Sequence, residues 1–167
     1  VAAVVPWNAE MFLTATKVGP ALAAGNTVVI KASEIAPAPL LAFAQVIDEV
    51  GFPPGVVNLI TGFGEPCGRA LTSHPMVDKV AFTGGVETAR HVVANTVHNL
   101  APVTLELGGK SPNIVFADAD LERFAAESPY SVFDNCGQDC CARSRVLVER
   151  TVYDRVVTGV VERTSRL

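Results

Sequence analysis

Short apolar segments of strand length alternate with helix-length stretches along most of this chain, and that alternation constrains the fold more than any other feature. The apolar segments are rich in Val and Ile and do not alternate with polar residues, as in strands buried on both faces of a parallel sheet. The candidate strands are Ala2–Val5, Thr27–Ile30, Val56–Ile60, Val80–Phe82, Val103–Leu105 and Ile114–Phe116.

The stretches between the first five strands can each form a helix. They are Thr14–Ala24, Pro39–Val50, Pro66–Thr72 and Glu87–Asn95. Strand and helix in strict turn indicate βαβ units with right-handed crossovers. The sequence therefore predicts the α/β class, with an open parallel sheet and helices on both of its faces.

Glycine-rich breaks support this interpretation. Gly25-Asn26 and the stretch from Gly51 to Gly55 are predicted to end two helices, and Gly84-Gly85 to form a tight turn after a strand. Ligands of open α/β sheets bind beyond the carboxyl ends of the strands. The segments at those ends are Pro6-Trp7-Asn8, Lys31-Ala32-Ser33-Glu34, Gly62-Phe63-Gly64, Thr83-Gly84-Gly85 and Glu106-Leu107-Gly108-Gly109.

Composition excludes several functional classes. Seventeen acidic and thirteen basic residues give a net charge of −4, with no Lys/Arg-rich run, so we expect neither a nucleic-acid partner nor a membrane surface. Every apolar run is shorter than the roughly 18 residues that a membrane-spanning helix needs.

The cysteines follow no disulfide framework, because Cys67, Cys136, Cys140 and Cys141 are irregularly spaced. Reduced thiols and a cytoplasmic location are the simpler expectation. No CxxC occurs and the histidines lie far from the cysteine cluster along the chain, so no metal site is expected.

The stretch GQDCCARSR, residues 137 to 145, places two adjacent cysteines in a polar turn. A cysteine in a loop near cations such as Arg143 and Arg145 can hold a lowered pKa and react. Buried cysteine is also a common small core residue. The stretch by itself leaves the reactive and the structural interpretation open.

The stretch GFGEPCG, residues 62 to 68, is one residue longer than the dinucleotide fingerprint. In the functional interpretation, Gly62 and Gly64 let a phosphate-bearing ligand approach the start of the next helix, where free N–H groups attract anions. In the alternative, the glycines only change the direction of the chain.

Six motifs occur in one order from end to end of the chain, and together they closely resemble the aldehyde dehydrogenase superfamily. They are PWN (6–8), KASE (31–34), GFGEPCG (62–68), FTGG (82–85), LELGGKSP (105–112) and GQDCCARSR (137–145). The resemblance implies a partial, Rossmann-like NAD-binding domain over residues 1–107. It also implies the beginning of a second α/β domain, the catalytic one, over residues 108–167.

The resemblance implies the oxidation of an aldehyde to a carboxylic acid. Cys140 would attack the aldehyde to form a thiohemiacetal, and Asn8 would stabilise the oxyanion together with a backbone N–H. Glu106 would then activate the water that hydrolyses the thioester. Taken singly, Asn8 could cap a helix and Glu106 could be a solvated carboxylate. Cys141 is interpreted as packing or lying beside the nucleophile without sharing its role, Cys67 and Cys136 as ordinary small residues, and Gln138 as shaping the loop.

The resemblance also implies a nicotinamide cofactor. Lys31 and Glu34 would lie at the adenosine ribose, where a carboxylate favours NAD over NADP, although the Lys31 ammonium leaves NADP possible. Lys17 is either a cation near the cofactor or a solvated helix lysine. The other implied cofactor contacts are Ser33, Gly64, Gly68, Thr83, Gly84, Gly85, Leu107, Pro6 and Trp7.

The chain departs from the family pattern at Gly85, where the family usually has Ser, so one hydroxyl that could contact the pyrophosphate is missing. The chain also lacks an initiator Met and stops soon after the predicted strand Val146–Glu149, so we expect an internal piece of a longer, homo-oligomeric enzyme. This piece alone is expected to be inactive.

Two other functions remain open. A CoA-acylating relative would pass the thioester to coenzyme A, and such enzymes typically lack the water-activating glutamate, so Glu106 favours hydrolysis. A non-catalytic nucleotide-binding remnant would bind NAD without turnover.

Overall fold

The computed structural model describes residues 1–167 and divides into two units, Val1–Leu107 and Gly108–Leu167. Five parallel strands form the sheet of the first unit. The strands are β1 (Ala2–Val4), β2 (Val28–Lys31), β3 (Val57–Ile60), β4 (Val80–Gly84) and β5 (Val103–Leu107). They lie in the order β3-β2-β1-β4-β5. The predicted α/β class with a parallel sheet is confirmed.

Helices cover both faces of this sheet. The helices of the first unit are α1 (Glu10–Ala23), α2 (Ala38–Val50), α3 (Arg69–Thr72) and α4 (Val86–Asn95). Ala3 packs in one apolar cluster with Val18 of α1 and Leu40 of α2, whereas Ala2 packs in another with Ala89 of α4. Successive strand residues point to opposite faces, so these two small residues of β1 serve two separate cores.

The predicted glycine breaks end helices as expected. Gly25 follows α1 with a φ of +77° and Gly51 follows α2 with a φ of +81°, both in the left-handed region that favours glycine.

Two predicted helices had wrong boundaries. The first begins at Glu10, not Thr14, because the exposed Met11 and Phe12 lie on the solvent side of its first turn and obscure the amphipathic pattern. The predicted helix Pro66–Thr72 is helical over its whole length, but it begins earlier, with a wide helical turn over Gly64–Gly68 that leads directly into the single turn α3; in this stretch only Glu65 has non-helical backbone angles.

Three of the apolar segments are not buried on both faces, which corrects the interpretation of Val56–Ile60, Val103–Leu105 and Ile114–Phe116. The first forms β3, an edge strand whose residues are only partly buried. Leu105 lies on β5, at an edge of the five-stranded sheet, and is exposed. Ile114 and Phe116 are 58% and 61% exposed, because the strand that contains Ile114 belongs to a sheet of only two strands.

The second unit contains β6 (Pro112–Val115) and β7 (Arg145–Val148), which pair in parallel, and the helices α5 (Leu121–Glu127), α6 (Tyr130–Phe133) and α7 (Tyr153–Thr164). Its core gathers Val115, Leu121 and Val156. A Cβ on Gly159 of α7 would lie 2.9 Å from the Cβ of Ala125, so α5 and α7 approach closely only because this position is glycine.

Side chains fix the ends of these elements. The Asp120 carboxylate accepts a hydrogen bond from the Arg123 backbone N–H at 3.0 Å and caps α5. The Glu149 carboxylate, after β7, accepts from the Ala117 N–H at 2.9 Å and the Thr151 hydroxyl at 2.7 Å. These two hydrogen bonds lower the pKa of Glu149.

None of the helices is both long and apolar enough to cross a bilayer.

Thr14 of α1 generates a stability prediction. Its hydroxyl is buried without a hydrogen-bond partner in the structure, which disfavours folding. We expect Thr14→Val, which keeps the side-chain shape, to raise the free energy of unfolding by about 1 kcal/mol. The measurement is the shift in the denaturation midpoint.

Thr16→Val is the matched control, because the Thr16 hydroxyl is exposed and donates to the Leu13 carbonyl at 3.0 Å. No gain is expected from it. A Thr14→Val protein that is less stable than the parent would show that the hydroxyl has a partner in solution.

Candidate active site

In open α/β sheets the crevice that binds a ligand lies at the carboxyl edge where the strand order switches, and this sheet has such a switch. From β1 the chain moves to β2 and β3 on one side, and from β4 it moves to β5 on the other. Helices that follow strands on opposite sides of such a switch lie on opposite faces and leave room for a ligand between their beginnings. The residues after β1 and at the end of β4 therefore border the crevice.

Asn8 lies in the five-residue connection between Val4, the last residue of β1, and Glu10, the first of α1. The cap residue of α1 is Ala9, whose carbonyl accepts from the Leu13 N–H at 2.9 Å. Asn8 is therefore not the cap residue of this helix and lies in the bend before it. Asn8 is half-buried beside the exposed Trp7.

Lys17 and Thr83 join α1 to the end of β4. The Lys17 ammonium donates to the Thr83 hydroxyl at 2.6 Å, and Thr83 is buried. A freely solvated Lys17 is therefore excluded. Glu106 of β5 is in register with Thr83, and residues in register point to the same face of a sheet. The exposed Glu106 carboxylate thus belongs to the face that carries Thr83 and Lys17.

The carboxyl end of β2 carries a charged pair. The Lys31 ammonium lies 2.9 Å from a Glu34 carboxylate oxygen, with the Lys31 side chain 5% exposed and that of Glu34 39% exposed. A hydrogen bond from its own backbone N–H, followed by the Lys31 ammonium, holds the pKa of Glu34 below its usual value. Between them, the buried Ser33 hydroxyl accepts the Ile35 N–H at 3.3 Å. Glu34 is therefore an anion, with one side open to a ligand.

Two glycine segments lie at the same edge. Gly62 has a φ of +150°, and a Cβ there would lie 2.8 Å from the Cβ of Cys67, so this position requires glycine. No atom lies within 4 Å of where a Cβ would stand on Gly64 or on Gly85, the cap of α4. Gly84 ends β4 between Thr83 and Gly85, and Gly68 precedes α3. These positions leave backbone exposed for a ligand.

The turn that holds Cys140 lies in the second unit, before β7. Asn135, Cys136 and Gly137 all have positive φ, which turns the chain sharply. The Arg143 N–H donates to the Ser131 carbonyl at 3.1 Å, and the Arg145 guanidinium donates to the Lys110 carbonyl at 2.6 Å. The arginines thus tie the turn to neighbouring backbone.

The electrostatics of Cys140 differ from the expectation of a thiol activated by cations. Burial is the main cause that raises the pKa of the Cys140 thiol, and the Cys141 thiol and the Asp139 carboxylate raise it further. The Arg145 guanidinium donates to the Lys110 carbonyl and is not among the groups that shift the pKa of Cys140. At neutral pH Cys140 is therefore mostly a thiol.

Two contacts had not been identified from the sequence. The Lys17 contact with Thr83 joins residues 66 positions apart, and no local pattern indicates it. The second contact is a hydrogen bond from the Cys141 N–H to the Asp139 carboxylate, at 2.9 Å. It could have been predicted, because an Asp side chain that accepts the backbone N–H two residues later forms a common type of turn.

Cys67 contacts the Thr61 carbonyl at 3.7 Å.

The structure brings the predicted residues of the first unit to one edge of one sheet. Pro6, Trp7, Asn8, Lys31, Ser33, Glu34, Gly64, Thr83, Gly84, Gly85, Glu106 and Leu107 all lie at or just after the carboxyl ends of its strands. Cys140 belongs to the other unit, in a turn of its own.

The chain is similar to known dehydrogenases. The chain is 58% identical over 167 residues to a (Z)-2-((N-methylformamido)methylene)-5-hydroxybutyrolactone dehydrogenase of Acinetobacter baylyi, covering 100% of this chain and 34% of that protein. The chain thus spans about a third of the length of the curated relatives that it matches.

Two solved structures share the fold. The aldehyde dehydrogenase KauB from Pseudomonas aeruginosa superposes with a TM-score of 0.94 at 43% identity, over 98% of this chain and 34% of that one. PnpE in complex with nicotinamide adenine dinucleotide gives a TM-score of 0.90 at 46% identity, over 96% and 33%.

The model of the aldehyde dehydrogenase family matches residues 1–167. This chain belongs to the aldehyde dehydrogenase family.

Proposed function

We propose that the full-length protein that contains this chain oxidises an aldehyde to a carboxylic acid with NAD, with Cys140 as the nucleophile. The proposal rests on the position of Asn8, Thr83 and Glu106, which lie at the carboxyl ends of β1, β4 and β5. These strands lie at and beside the point where the strand order of the sheet switches direction. Family membership over the whole chain supports it. A small-molecule aldehyde, a homo-oligomer and a cytoplasmic location complete the proposal.

The first step is attack by Cys140 sulfur on the aldehyde carbonyl carbon. Its pKa is raised by burial, so the thiol must lose its proton to an acceptor as the carbon–sulfur bond forms. The carbonyl oxygen becomes an oxyanion, which the Asn8 amide and the Cys140 backbone N–H would stabilise. The product of this step is a thiohemiacetal.

A nicotinamide cofactor, when bound, supplies the acceptor for the hydride that leaves the thiohemiacetal carbon. The remaining thioester must be hydrolysed. Glu106 is exposed, so its carboxylate is available to take a proton from the attacking water. Lys17 holds the Thr83 hydroxyl on the neighbouring strand and positions that strand end.

The residues present fit a dinucleotide. The Glu34 carboxylate is ionised, partly exposed and oriented by Lys31, and a carboxylate suits the two hydroxyls of an adenosine ribose. The open position above Gly85 at the beginning of α4 gives a phosphate access to backbone N–H groups. Because a 2′-phosphate would meet the Glu34 anion, we propose NAD as the preferred cofactor over NADP.

The nucleophile is tested by comparing Cys140→Ala with Cys141→Ala in the full-length protein. We expect Cys140→Ala to lower kcat by about 10⁴-fold or more, because loss of a nucleophile removes the covalent route. Cys141→Ala should keep kcat within about threefold, since one thiolate is enough. The assay is NADH formation with several aldehydes. An active Cys140→Ala enzyme would contradict the assignment.

Glu106→Gln tests the hydrolytic step. We expect a rapid burst of NADH followed by turnover slowed about 10²- to 10⁴-fold, since a general base is lost after hydride transfer. Stopped-flow absorbance separates the two phases. If coenzyme A rather than water accepts the acyl group, the wild-type protein forms acyl-CoA instead of acid, and the variant shows no slow phase.

Gly85→Ser tests the pyrophosphate contact. Gly85 has a φ of −74° and open space around a Cβ, so serine fits without strain. We expect its hydroxyl to tighten NAD binding about tenfold, the effect of one hydrogen bond to a charged group. Calorimetry measures the Kd, and Gly85→Ala, which adds only a methyl group, is the control. Equal affinity in all three proteins would remove Gly85 from the phosphate site.

A further inference from the structure

The turn after Gly137 assembles three potential metal ligands that the sequence alone did not indicate. One ligand atom each from Asp139, Cys140 and Cys141 lies within 4.8 Å of the other two. The sequence predicts no metal site, because it contains no CxxC and its histidines lie far from the cysteines. These two features exclude only sites whose ligands are spread along the chain. Here a single turn supplies two thiols and a carboxylate.

The distance between the two sulfurs matches a shared tetrahedral ion. They lie 3.8 Å apart. Two thiolates bound at about 2.3 Å to one tetrahedral Zn²⁺ are separated by about 3.8 Å. The sulfurs therefore need almost no movement to bind the same ion.

A disulfide between the same residues is unfavourable by comparison. It would bring the sulfurs to about 2.05 Å, and adjacent residues have Cα atoms about 3.8 Å apart, below the usual disulfide range of roughly 4.4–6.8 Å. The pair thus fits a bridging ion better than a direct bond.

Asp139 is held where a third ligand is needed. One carboxylate oxygen accepts the Cys141 N–H at 2.9 Å, which fixes the side chain over the turn. An ionised carboxylate has about four acceptor positions, so this hydrogen bond leaves the group able to bind a cation. Asp139 and Cys141 are exposed and Cys140 is half-buried, so an ion from solvent reaches all three.

We propose that Asp139, Cys140 and Cys141 form a binding site for Zn²⁺, and that the bound ion blocks Cys140 and reversibly inhibits the enzyme. The inhibitory part rests on the proposed role of Cys140 as nucleophile. On binding, each thiol releases one proton to solvent, two Zn–S bonds and one Zn–O bond form, and a water completes the tetrahedron. No oxidation or reduction takes place.

Binding is tested on the full-length protein, kept reduced with a phosphine and free of aldehyde and NAD. Co²⁺ is the spectroscopic probe, because its ligation by thiolates gives a charge-transfer absorption. Zn²⁺ is then added to displace the bound Co²⁺, and the loss of this absorption gives the Zn²⁺ affinity. We expect one ion per chain. Cys141→Ser should weaken Zn²⁺ binding about 100-fold, since the second thiolate binds intramolecularly. Asp139→Asn should weaken it less.

Cys136→Ser is the matched control, because Cys136 is an exposed thiol of the same turn region outside the cluster. Its affinity for Zn²⁺ should equal that of the wild type. Equal affinities of wild type and Cys141→Ser, or binding at millimolar Zn²⁺ only, would overturn the site.

Activity separates this proposal from the proposed function. Micromolar Zn²⁺ should inhibit the wild type, a chelator should restore activity, and Cys141→Ser should stay active and resist Zn²⁺. Charge-transfer absorption without any loss of activity would overturn the nucleophile role of Cys140 and leave the metal site standing. Full activity with no charge-transfer absorption would overturn the metal site alone.

Discussion

The rest of the first unit depends on the pairing of one short strand, β1, on both of its sides. Ala2 is in register with Val29 on one side and with Val80 on the other. Ala2 and Ala3 are fully buried, because helices pack over both faces of β1. Their small side chains allow the two helical layers to approach, and the switch in strand order occurs beside this strand. The position of Asn8 after β1 follows from that pairing.

Much of the first unit could be predicted from sequence, because its strands are local apolar runs and glycines mark the ends of two of its helices. Gly25 and Gly51 indicate helix ends through a backbone conformation that other residues avoid. Burial was harder to predict, since Val and Ile occur both in β2, which lies inside the sheet, and in β3, which lies at an edge. Sheet position depends on pairing, and composition does not encode it.

The candidate site shows the same division. Lys31 and Glu34 are three residues apart, so their ion pair follows from a local stretch, whereas the contact of Lys17 with Thr83 needs the fold. The protonation of Cys140 could not be predicted either. Sequence places Arg145 near the thiol, but burial, together with the neighbouring Cys141 and Asp139 side chains, determines the direction of the pKa shift.

The Lys31–Glu34 pair has an evolutionary consequence. Lys31 is buried at the end of β2, and the partly exposed Glu34 carboxylate is the partner of its ammonium. Replacement of Glu34 by a neutral residue, a change at a single codon, would leave that buried ammonium unpaired, which destabilises the fold unless a phosphorylated ribose takes the place of the carboxylate. The preference for one coenzyme could then change in separate lineages without any change in the substrate that the enzyme binds.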